Sequence, residues 1–395
     1  MRIAIIGSRG IPARYGGFET FAEEFSMRLA ALGHTVYVSC EGGADPKLQS
    51  LNGVNLFYFP ARPFYRILYD TLYDIYSLIV ACYLCDYLIM LGYGAGAFFF
   101  IPRLFRKKLI VNLDGIEWKR RRYNLAEKAI LFVSEKLAVR FSDVAVADSR
   151  VIQKFISETT KKTPRFIPYG ANVPPSGCWD LTLFKALEKK DALITLEKFS
   201  YFLVVARLEP SNNIKAIVEG FLRANVQSKL IVLGNFSARK YKKEIQNLRD
   251  QYKKSDSVIF TGGIYEKDVV SMLRHHCIAY IHGHSAGGTN PSLLEAMACN
   301  ALVIAHDNEF NREVCANSAI FFADSIDLAT IIRSVEARPE KYAELKTHAL
   351  ERVKDYYSWE MVVNGYRQLV FDAVDKVSYD SVEEFDRDTA TRPAS

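Results

Sequence analysis

The chain has 395 residues, which exceeds the size of one typical hydrophobic core and predicts two domains. Its composition, 49% hydrophobic and 24% charged, is ordinary for a soluble globular protein. The net charge of +6 favours phosphate-bearing or anionic-surface partners only weakly, and we expect no nucleic acid partner.

Cysteine usage and apolar runs both predict a cytoplasmic protein. The seven cysteines are scattered without a framework, and the only C-x-x-C, Cys82 to Cys85, lies inside an apolar run. The opening segment MRIAIIGSRG has too short an apolar run for a signal peptide and predicts a first strand. The longest apolar region, 77–101, is interrupted by Asp86 and several glycines, so we expect no transmembrane helix.

Short apolar runs alternate with helical patterns along the first half of the chain. The runs are mostly continuous, as expected for strands whose two faces are both covered. In chain order, the strand candidates are RIAIIG, TVYVSC, NLFYFP, YLIMLG, KLIVNLD, DVAVAD and RFIPYG. The clearest helical stripe starts at Phe18 and ends at Gly33.

The second half repeats this rhythm. Its strand candidates are FLVVAR, KLIVLG, VIFTG, AYIHG, LVIAHD and AIFF. Strands that alternate with helices form parallel sheets, so the sequence predicts two Rossmann-like α/β domains. A Pro- and Gly-rich stretch sets the boundary between an N-terminal domain, 1–172, and a C-terminal domain, 173–355. A C-terminal helix is predicted in 356–377, and the polar tail 378–395 is predicted to be disordered.

The segment after the first strand, GSRGIPARYGGFET, is the first candidate binding site. Ligands of open parallel sheets bind at the carboxyl ends of the strands. Gly16 and Gly17 come directly before the first strong helix, where backbone N–H groups can approach an anion. Arg9 and Arg14 add cationic donors nearby, and a solvated turn is the alternative.

Two carboxylates follow the KLIVNLD strand. Asp114 stands where that strand should end, and Glu117 follows in the next turn. A carboxylate there can accept a proton or bind a sugar hydroxyl, and a capping role for Asp114 is an equal alternative. Two basic clusters, 103–108 and 119–122, have aromatic neighbours and suit a protein that rests on an anionic membrane surface. A solvated charged face is the alternative for these clusters.

The second half offers an arginine and a glycine-rich loop at its strand ends. Arg207 follows the first strand of this half, where a bidentate guanidinium suits a pyrophosphate. The loop precedes a helix, whose N-terminal N–H groups could bind a phosphate. The loop residues are Gly287, Gly288, Thr289 and Asn290.

One carboxylate and two histidines flank this loop. Glu295 lies one turn into the helix, where it could bind vicinal ribose hydroxyls or remain a solvated carboxylate. His282 and His284 form an H-x-H without an evident third ligand, so we expect no metal. The candidate phosphate or acceptor contacts are His284, Arg9, Arg14 and Glu117.

Four longer segments carry a family resemblance. They are GSRGIPARYGGFETFAEE and DGIEWKRRRY in the first half, and VVARLEPSNNI and GGTNPSLLEAMACNALVIAHDNEFNREV in the second. The second half resembles GT4-type glycosyltransferases, which have the GT-B fold, two Rossmann-like domains facing across a cleft. The first half resembles bacterial rhamnosyltransferases with a DUF1972-type N-terminal domain. The resemblance covers nearly the whole chain.

The resemblance implies roles for residues already singled out. Glu295 would bind the nucleotide ribose, Arg207 the donor pyrophosphate, and Gly17 would lie near the diphosphate. Gly288, Thr289 and Asn290 would lie against the donor phosphate or sugar. The C-terminal helix around Trp359 would cross back onto the N-terminal domain.

Two positions depart from the family pattern. Asn212 stands where relatives have a phosphate-binding lysine, and Arg9 or Arg14 is expected to substitute for it. Gly287 stands where relatives have the first glutamate of E-x7-E, which contacts donor-sugar hydroxyls. We therefore expect the donor sugar to be held differently here, which fits a 6-deoxy L-sugar.

The resemblance implies sugar transfer without a cofactor or metal requirement. The leading prediction is L-rhamnose, moved with retention from dTDP-rhamnose to a polyprenyl-diphosphate-linked saccharide at the inner face of the plasma membrane. Arg207 would stabilise the leaving diphosphate, and Asp114 would position the acceptor, or act as base if the enzyme inverts. The alternatives are a sugar-nucleotide 2-epimerase of the same architecture and a non-catalytic partner in polysaccharide assembly.

Overall fold

The protein is described by a computed structural model with two parallel sheets, each covered by helices on both faces. The structure describes residues 1–13, 16–42, 48–60, 66–113, 115–119, 123–175, 179–180, 182, 196–252, 255–285 and 287–372.

The first sheet has the strand order β3-β4-β2-β1-β5-β6-β7-β8, and within it only β3 and β4 pair antiparallel. Its strands are β1 (Arg2–Ile6), β2 (Thr35–Cys40), β3 (Ser50–Leu51), β4 (Val54–Tyr58), β5 (Tyr87–Leu91), β6 (Lys108–Asn112), β7 (Val144–Ala147) and β8 (Arg165–Phe166). The central strands are buried on both faces, which explains their continuous apolar sequences.

The second sheet has the strand order β11-β10-β9-β12-β13-β14, and its strands pair in parallel. Its strands are β9 (Tyr201–Val205), β10 (Lys229–Leu233), β11 (Val258–Gly262), β12 (Ala279–His282), β13 (Val303–His306) and β14 (Ile320–Phe322). The order reverses next to β9, so β9 and β12 flank the crevice where ligands of open sheets bind.

Helices connect the strands in both halves. In the first half they are α1 (Gly17–Ala31), α2 (Arg66–Leu84), α3 (Ile101–Leu104), α4 (Leu125–Phe141) and α5 (Arg150–Thr160). In the second half they are α6 (Ile214–Ala224), α7 (Arg239–Gln251), α8 (Lys267–His275), α9 (Pro291–Ala298), α10 (Glu309–Cys315), α11 (Ser325–Ala337), α12 (Ala343–Tyr356) and α13 (Trp359–Asp372). No helix in the described ranges is both long and apolar enough to cross a bilayer.

Two helical layers enclose the N-terminal sheet. On one face, Leu78 of α2, Val139 of α4 and Ile152 of α5 share a buried cluster with Ile6 and Met90 of the strands. The opposite face is covered by α1 and α13. The core on that side continues into the second half through α9 and α12, so the two halves share one buried apolar cluster.

The last helix, α13, packs on the N-terminal domain. The Tyr366 ring lies 4.9 Å from the Phe25 ring, and Asn112 Nδ2 donates to Tyr366 Oη at 3.0 Å. A Cβ atom at Gly170 would lie 2.7 Å from the Trp359 ring, so glycine is required where the chain passes beneath this indole. The end of the chain therefore supplies core side chains to its beginning.

The strand predictions agree with the structure in both halves, and the predicted α/β class with parallel sheets is confirmed. The short strand β3 was not predicted, because two residues give no measurable apolar pattern. The last strand of the first sheet, β8, ends at Phe166, and the first strand of the second sheet, β9, begins at Tyr201. The predicted domain division at 172/173 falls between these two strands and stays a prediction. The predicted disordered tail lies outside the described residues.

Candidate active site

The carboxyl edges of the two sheets meet at the N-termini of two helices. Gly17, the first residue of α1, faces Pro291, the first residue of α9; a Cβ atom at Gly17 would lie 3.3 Å from Pro291 Cγ. Both helices therefore direct their positive dipole ends toward the same cleft, and α1 adds the N–H groups of its first turn. This is the arrangement that binds anions, phosphates in particular.

The start of α1 is built from a glycine and a buried carboxylate. Gly16 has φ 97°, a conformation that favours glycine, and a Cβ atom there would lie 2.6 Å from Glu19 Oε2, so the carboxylate would have to shift. Glu19 accepts a hydrogen bond from the Arg9 backbone N–H at 3.1 Å, and burial raises the pKa of Glu19. The Arg9 side chain is exposed and lies 3.7 Å from Glu41. Arg14 lies outside the described residues.

The turn after β6 holds the predicted acceptor-side carboxylates. Asp114 lies outside the described residues, so its predicted role stays a prediction. Glu117 is half-buried, and its Oε2 accepts a hydrogen bond from Tyr123 Oη at 3.3 Å. The buried Tyr93 hydroxyl orders the turn: it donates to the Gly115 carbonyl at 3.0 Å and accepts from the Glu117 N–H at 2.7 Å.

The glycine-rich loop before α9 packs directly against the N-terminal domain. A Cβ atom at Gly288 would lie 1.9 Å from Oδ1 of Asp148, the residue after β7. The Thr289 N–H donates to Asp148 Oδ2 at 3.0 Å, and the Thr289 hydroxyl donates to the Asp148 carbonyl. Asn290 caps α9, since its Oδ1 accepts from the Ser292 N–H at 3.0 Å. Gly287 begins the loop with φ 141°.

These contacts bear on the predicted donor residues. The polar groups of Thr289 face Asp148, and the side chain of Asn290 is used in the cap. A donor phosphate that reaches the N-terminus of α9 would meet the positive end of the helix dipole, because the N–H groups of Thr289 and Ser292 already have partners. The predicted donor contacts of Gly287, Gly288, Thr289 and Asn290 stay predictions.

The Glu295 carboxylate is held in place by a buried arginine that no sequence pattern indicated. Arg274 is buried, and its Nη2 lies 2.6 Å from Glu295 Oε2 and 2.9 Å from Ser292 Oγ. Ser292 Oγ in turn lies 2.8 Å from Tyr280 Oη. The Glu295 side chain retains 38% of its exposure, so one edge is held and the other is accessible. A fixed, half-exposed carboxylate is suited to bind a pair of hydroxyls.

Arg207 lies just beyond β9 in a loop stabilised by Asn212. Its guanidinium is partly exposed and lies 3.5 Å from Glu209 Oε1. Asn212 is buried; its Nδ2 donates to the Arg207 carbonyl at 2.8 Å, and its Oδ1 lies 2.8 Å from His284 Nδ1. The residue at the lysine position of relatives therefore joins the loops after β9 and β12. A Cβ atom at Gly283 would lie 2.2 Å from the Asn212 carbonyl oxygen, so this junction requires glycine.

The histidines of the H-x-H differ in environment. His282 is buried, and burial together with the neighbouring His284, His306 and Arg274 holds its pKa well below the usual value. His284 is half-buried and engaged with Asn212. In the described part of the chain, no three His, Cys, Asp or Glu side chains are grouped to hold a metal ion.

Sequence comparison decides the family of each half. Residues 1–172 match the model of a domain of unknown function, DUF1972, and residues 187–352 match the model of glycosyl transferases group 1. The chain joins a DUF1972 N-terminal domain to a group 1 glycosyltransferase domain. The resemblance of the first half to DUF1972-type domains and of the second half to GT4-type glycosyltransferases is thereby confirmed. No curated protein matches the sequence.

Solved structures show that this glycosyltransferase has the GT-B fold. A sucrose-phosphate synthase from Thermosynechococcus elongatus is 18% identical with a TM-score of 0.80, over 95% of this chain and 100% of its own. HepE from Anabaena, solved with UDP-glucose, is 17% identical with a TM-score of 0.73, over 95% and 100%. A glycosyltransferase from Rickettsia africae is 15% identical with a TM-score of 0.72, over 95% and 99%. The predicted GT-B architecture is confirmed.

Proposed function

We propose that the protein transfers a sugar from a nucleoside diphosphate to a hydroxyl of a saccharide acceptor. The observation that carries the proposal is the meeting of α1 and α9 at Gly17 and Pro291, with Arg207 at the neighbouring strand end. Two helix N-termini and a guanidinium can stabilise the charge that develops on a leaving diphosphate. Glu295, fixed by Arg274, is the proposed ribose ligand.

The proposed donor is dTDP-L-rhamnose. HepE, a neighbour of the same fold, was solved with UDP-glucose, which supports a nucleotide-sugar donor for this chain as well. Gly287 leaves the donor-sugar pocket without the carboxylate that binds hydroxyls in relatives. A 6-deoxy sugar has one hydroxyl fewer to satisfy, which is consistent with that loss.

The proposed chemistry proceeds through an oxocarbenium-like transition state with retention at the anomeric carbon. Arg207 and the two helix N-termini stabilise the departing diphosphate, whose oxygen takes the acceptor proton. Asp114 positions the acceptor hydroxyl. If the product is inverted, Asp114 is the proposed general base. NMR of the product anomeric centre separates the two outcomes, and an Asp114→Asn variant with full activity removes Asp114 from either role.

The proposed acceptor is a polyprenyl-diphosphate-linked saccharide, used at the inner face of the plasma membrane during synthesis of a surface polysaccharide. The support is the family resemblance together with the basic and aromatic character of the N-terminal half. No metal or other cofactor is part of the proposal.

A thermal-shift screen with dTDP-rhamnose, UDP-glucose and GDP-mannose tests the donor. We expect dTDP-rhamnose to raise the Tm most, by an amount that follows the logarithm of free ligand over its Kd. Arg207→Ala should abolish most of that shift. The control is Arg223→Ala, which changes an exposed arginine on α6 and should leave the shift unchanged. If another nucleotide sugar alone stabilised the protein, that compound would replace dTDP-rhamnose as the proposed donor.

Two outcomes would replace the proposal with the other candidate functions. An altered nucleotide sugar released without acceptor would indicate a 2-epimerase. The absence of binding to any nucleotide sugar would indicate a non-catalytic assembly partner.

A further inference from the structure

The helix α4 presents apolar side chains to solvent and polar ones to the core. Leu125 is 86% exposed, Ile130 60% and Val133 53%, whereas Ser134 and Glu135 are buried. A helix on the surface of a globular protein normally has the reverse arrangement. Such an inversion indicates that the outer face of α4 has a binding partner beyond the part of the chain that the structure describes.

The buried polar side of α4 is stabilised within the domain. Trp118 Nε1 donates to Glu135 Oε2 at 3.0 Å, and Lys136 Nζ lies 3.3 Å from Glu135 Oε1. Ser134 Oγ donates to the Gly94 carbonyl at 3.2 Å. These contacts fix the rotation of the helix about its axis, so the apolar residues cannot turn inward.

Neighbouring elements extend this surface. The helices α2 and α4 cover the same face of the N-terminal sheet, and α3 lies between them at the far edge. Two ring pairs join the three: Tyr83 with Phe105 at 5.2 Å, and Phe100 with Phe141 at 6.0 Å. The exposed apolar residues of this surface, here called the outer face, are Leu68, Leu72, Ile79, Tyr83, Phe100, Leu104, Leu125, Ile130, Phe132 and Val133.

Unopposed cations border the outer face. Arg103, Arg106 and Arg140 are exposed, and none of them forms an ion pair with the described residues. The guanidinium of Arg103 lies 5.9 Å from the Phe141 ring centroid, so charge and apolar surface are adjacent. Apolar side chains that insert and cations that contact headgroups are the two signals needed for stable binding to an anionic bilayer. A second copy of the chain docked face to face would place these cations against one another, which disfavours that occupant.

We propose that the outer face docks on an anionic lipid bilayer. In the direction of the chain, α2 and α4 both begin at the carboxyl edge of the sheet, which is the edge of the cleft. Leu68 and Leu125 therefore lie at the cleft end of the docked surface. Docking by this face keeps the cleft mouth beside the headgroups, where a lipid-linked acceptor presents its saccharide. This last step rests on the proposed function, but docking itself does not.

Co-sedimentation of the full chain with vesicles tests the surface. The vesicles are phosphatidylcholine with or without 30 mol% phosphatidylglycerol. We expect binding to require the anionic lipid and to weaken with salt, because the arginines act through surface potential. The triple variant Leu125→Ser, Ile130→Ser, Val133→Ser should bind at least about tenfold more weakly, since three inserted side chains are lost.

The matched control removes exposed apolar residues elsewhere. The triple variant Val173→Ser, Ile326→Ser, Met361→Ser changes side chains that are exposed but lie off the outer face, and it should bind vesicles like the wild type. Unchanged vesicle binding by the α4 variant would overturn the proposal. So would a wild-type dimer in analytical ultracentrifugation that the α4 variant abolishes, which would make the occupant a second copy.

Donor binding separates this proposal from the proposed function. Both triple variants should keep the thermal shift with the donor, because none of the six changed side chains belongs to the donor loops at Gly17, Arg207 and Glu295. A wild-type protein that binds anionic vesicles but no nucleotide sugar would uphold the docking surface and overturn the function. A wild-type protein that binds the donor but no vesicles would overturn the docking surface and leave the proposed function standing.

Discussion

Glu295 and Arg274 are coupled across α8 and α9 in a way that decides where the carboxylate points. The guanidinium is buried and lies 2.6 Å from the carboxylate, and the nearby Glu295 raises the pKa of Arg274 against the effect of burial. Arg274 is almost fully buried beside the half-exposed Glu295, so its role is that of a positioning residue for this carboxylate. Its contribution should therefore be visible in donor affinity rather than in the chemical step.

We predict that Arg274→Met lowers donor affinity about tenfold and changes kcat little, because Glu295 loses its fixed orientation while the leaving-group contacts remain. The measurements are isothermal titration calorimetry with the donor and the kcat and KM of transfer. Arg274→Lys should recover part of the affinity, which a purely structural role would not require. Equal Kd values for wild type and Arg274→Met would refute the positioning role.

At this scale the sequence predicts residue types better than contacts. Glu295 and Arg207 could be singled out because they follow glycine-rich or strand-end segments in one stretch of chain. Arg274 and Asp148 could not, because their partners Glu295 and Thr289 lie on other elements. Nothing in the pattern SMLRHHC distinguishes a buried arginine from an exposed one.

The helix α5 belongs to the N-terminal half, and a carboxylate of the C-terminal half binds the N–H groups at its start. Glu313 of α10 accepts hydrogen bonds from Ser149 Oγ at 2.6 Å, from the Arg150 N–H at 2.7 Å and from the Val151 N–H at 3.2 Å. Arg352 holds the cap in place by donating to the Glu313 carbonyl at 2.9 Å. A carboxylate at a helix N-terminus satisfies open N–H groups and complements the dipole.

We predict that Glu313→Ala lowers the free energy of unfolding by about 1–2 kcal/mol, because hydrogen bonds to a charged acceptor are lost while the N-cap Ser149 remains. Urea denaturation followed by circular dichroism measures it. The control is Glu309→Ala, which removes an exposed glutamate from the same helix and should cost less than about 0.5 kcal/mol. Equal losses for the two variants would show that the contact across the halves does not stabilise α5.

Elements were easier to predict than their orientation. Continuous apolar runs predict buried parallel strands because both faces of each strand need apolar side chains, and this holds for β1, β5 and β9. A helical stripe does not say whether the core or a partner covers it. In α4 the apolar residues Leu125, Ile130 and Val133 are exposed to solvent. The burial of Glu135 in the structure shows which side of this helix faces the core.

Across the whole molecule, several polar contacts join the two halves. Besides Asp148 and Glu313, Lys267 of α8 reaches Glu23 and Glu24 of α1, each at 3.2 Å. The sequence could predict that the halves face one another, because the fold family requires it. It could not predict these pairs, since each joins residues more than a hundred positions apart without a shared motif.

We predict that His282 makes the folded protein less stable as the pH falls below about 6.5, the ordinary pKa of a histidine side chain. Burial, with His284, His306 and Arg274 nearby, lowers the pKa of His282 well below that value. Between the two pKa values the unfolded chain binds a proton at His282 that the folded protein does not. The contribution of neutral His282 to stability is therefore fully present above pH 6.5 and is lost as the pH falls below that value.

Thermal unfolding between pH 7 and pH 5 measures this decline. The Tm of His282→Asn should fall less steeply with pH than that of the wild type, whatever its absolute stability. The control His348→Asn changes an exposed histidine and should keep the wild-type slope. Parallel curves for wild type and His282→Asn would assign the acid sensitivity to other groups.

The backbone at Gly287 limits which residues can stand at this position. A φ of 141° is a conformation that residues with a side chain rarely adopt. Restoring the glutamate of relatives by Gly287→Glu would therefore strain the loop that also holds Gly288 against Asp148. Under the proposed function, a change of sugar preference through this loop would therefore also disturb its contact with Asp148. The same short segment would then serve both donor binding and the contact between the two halves, so a substitution made for one purpose would act on the other.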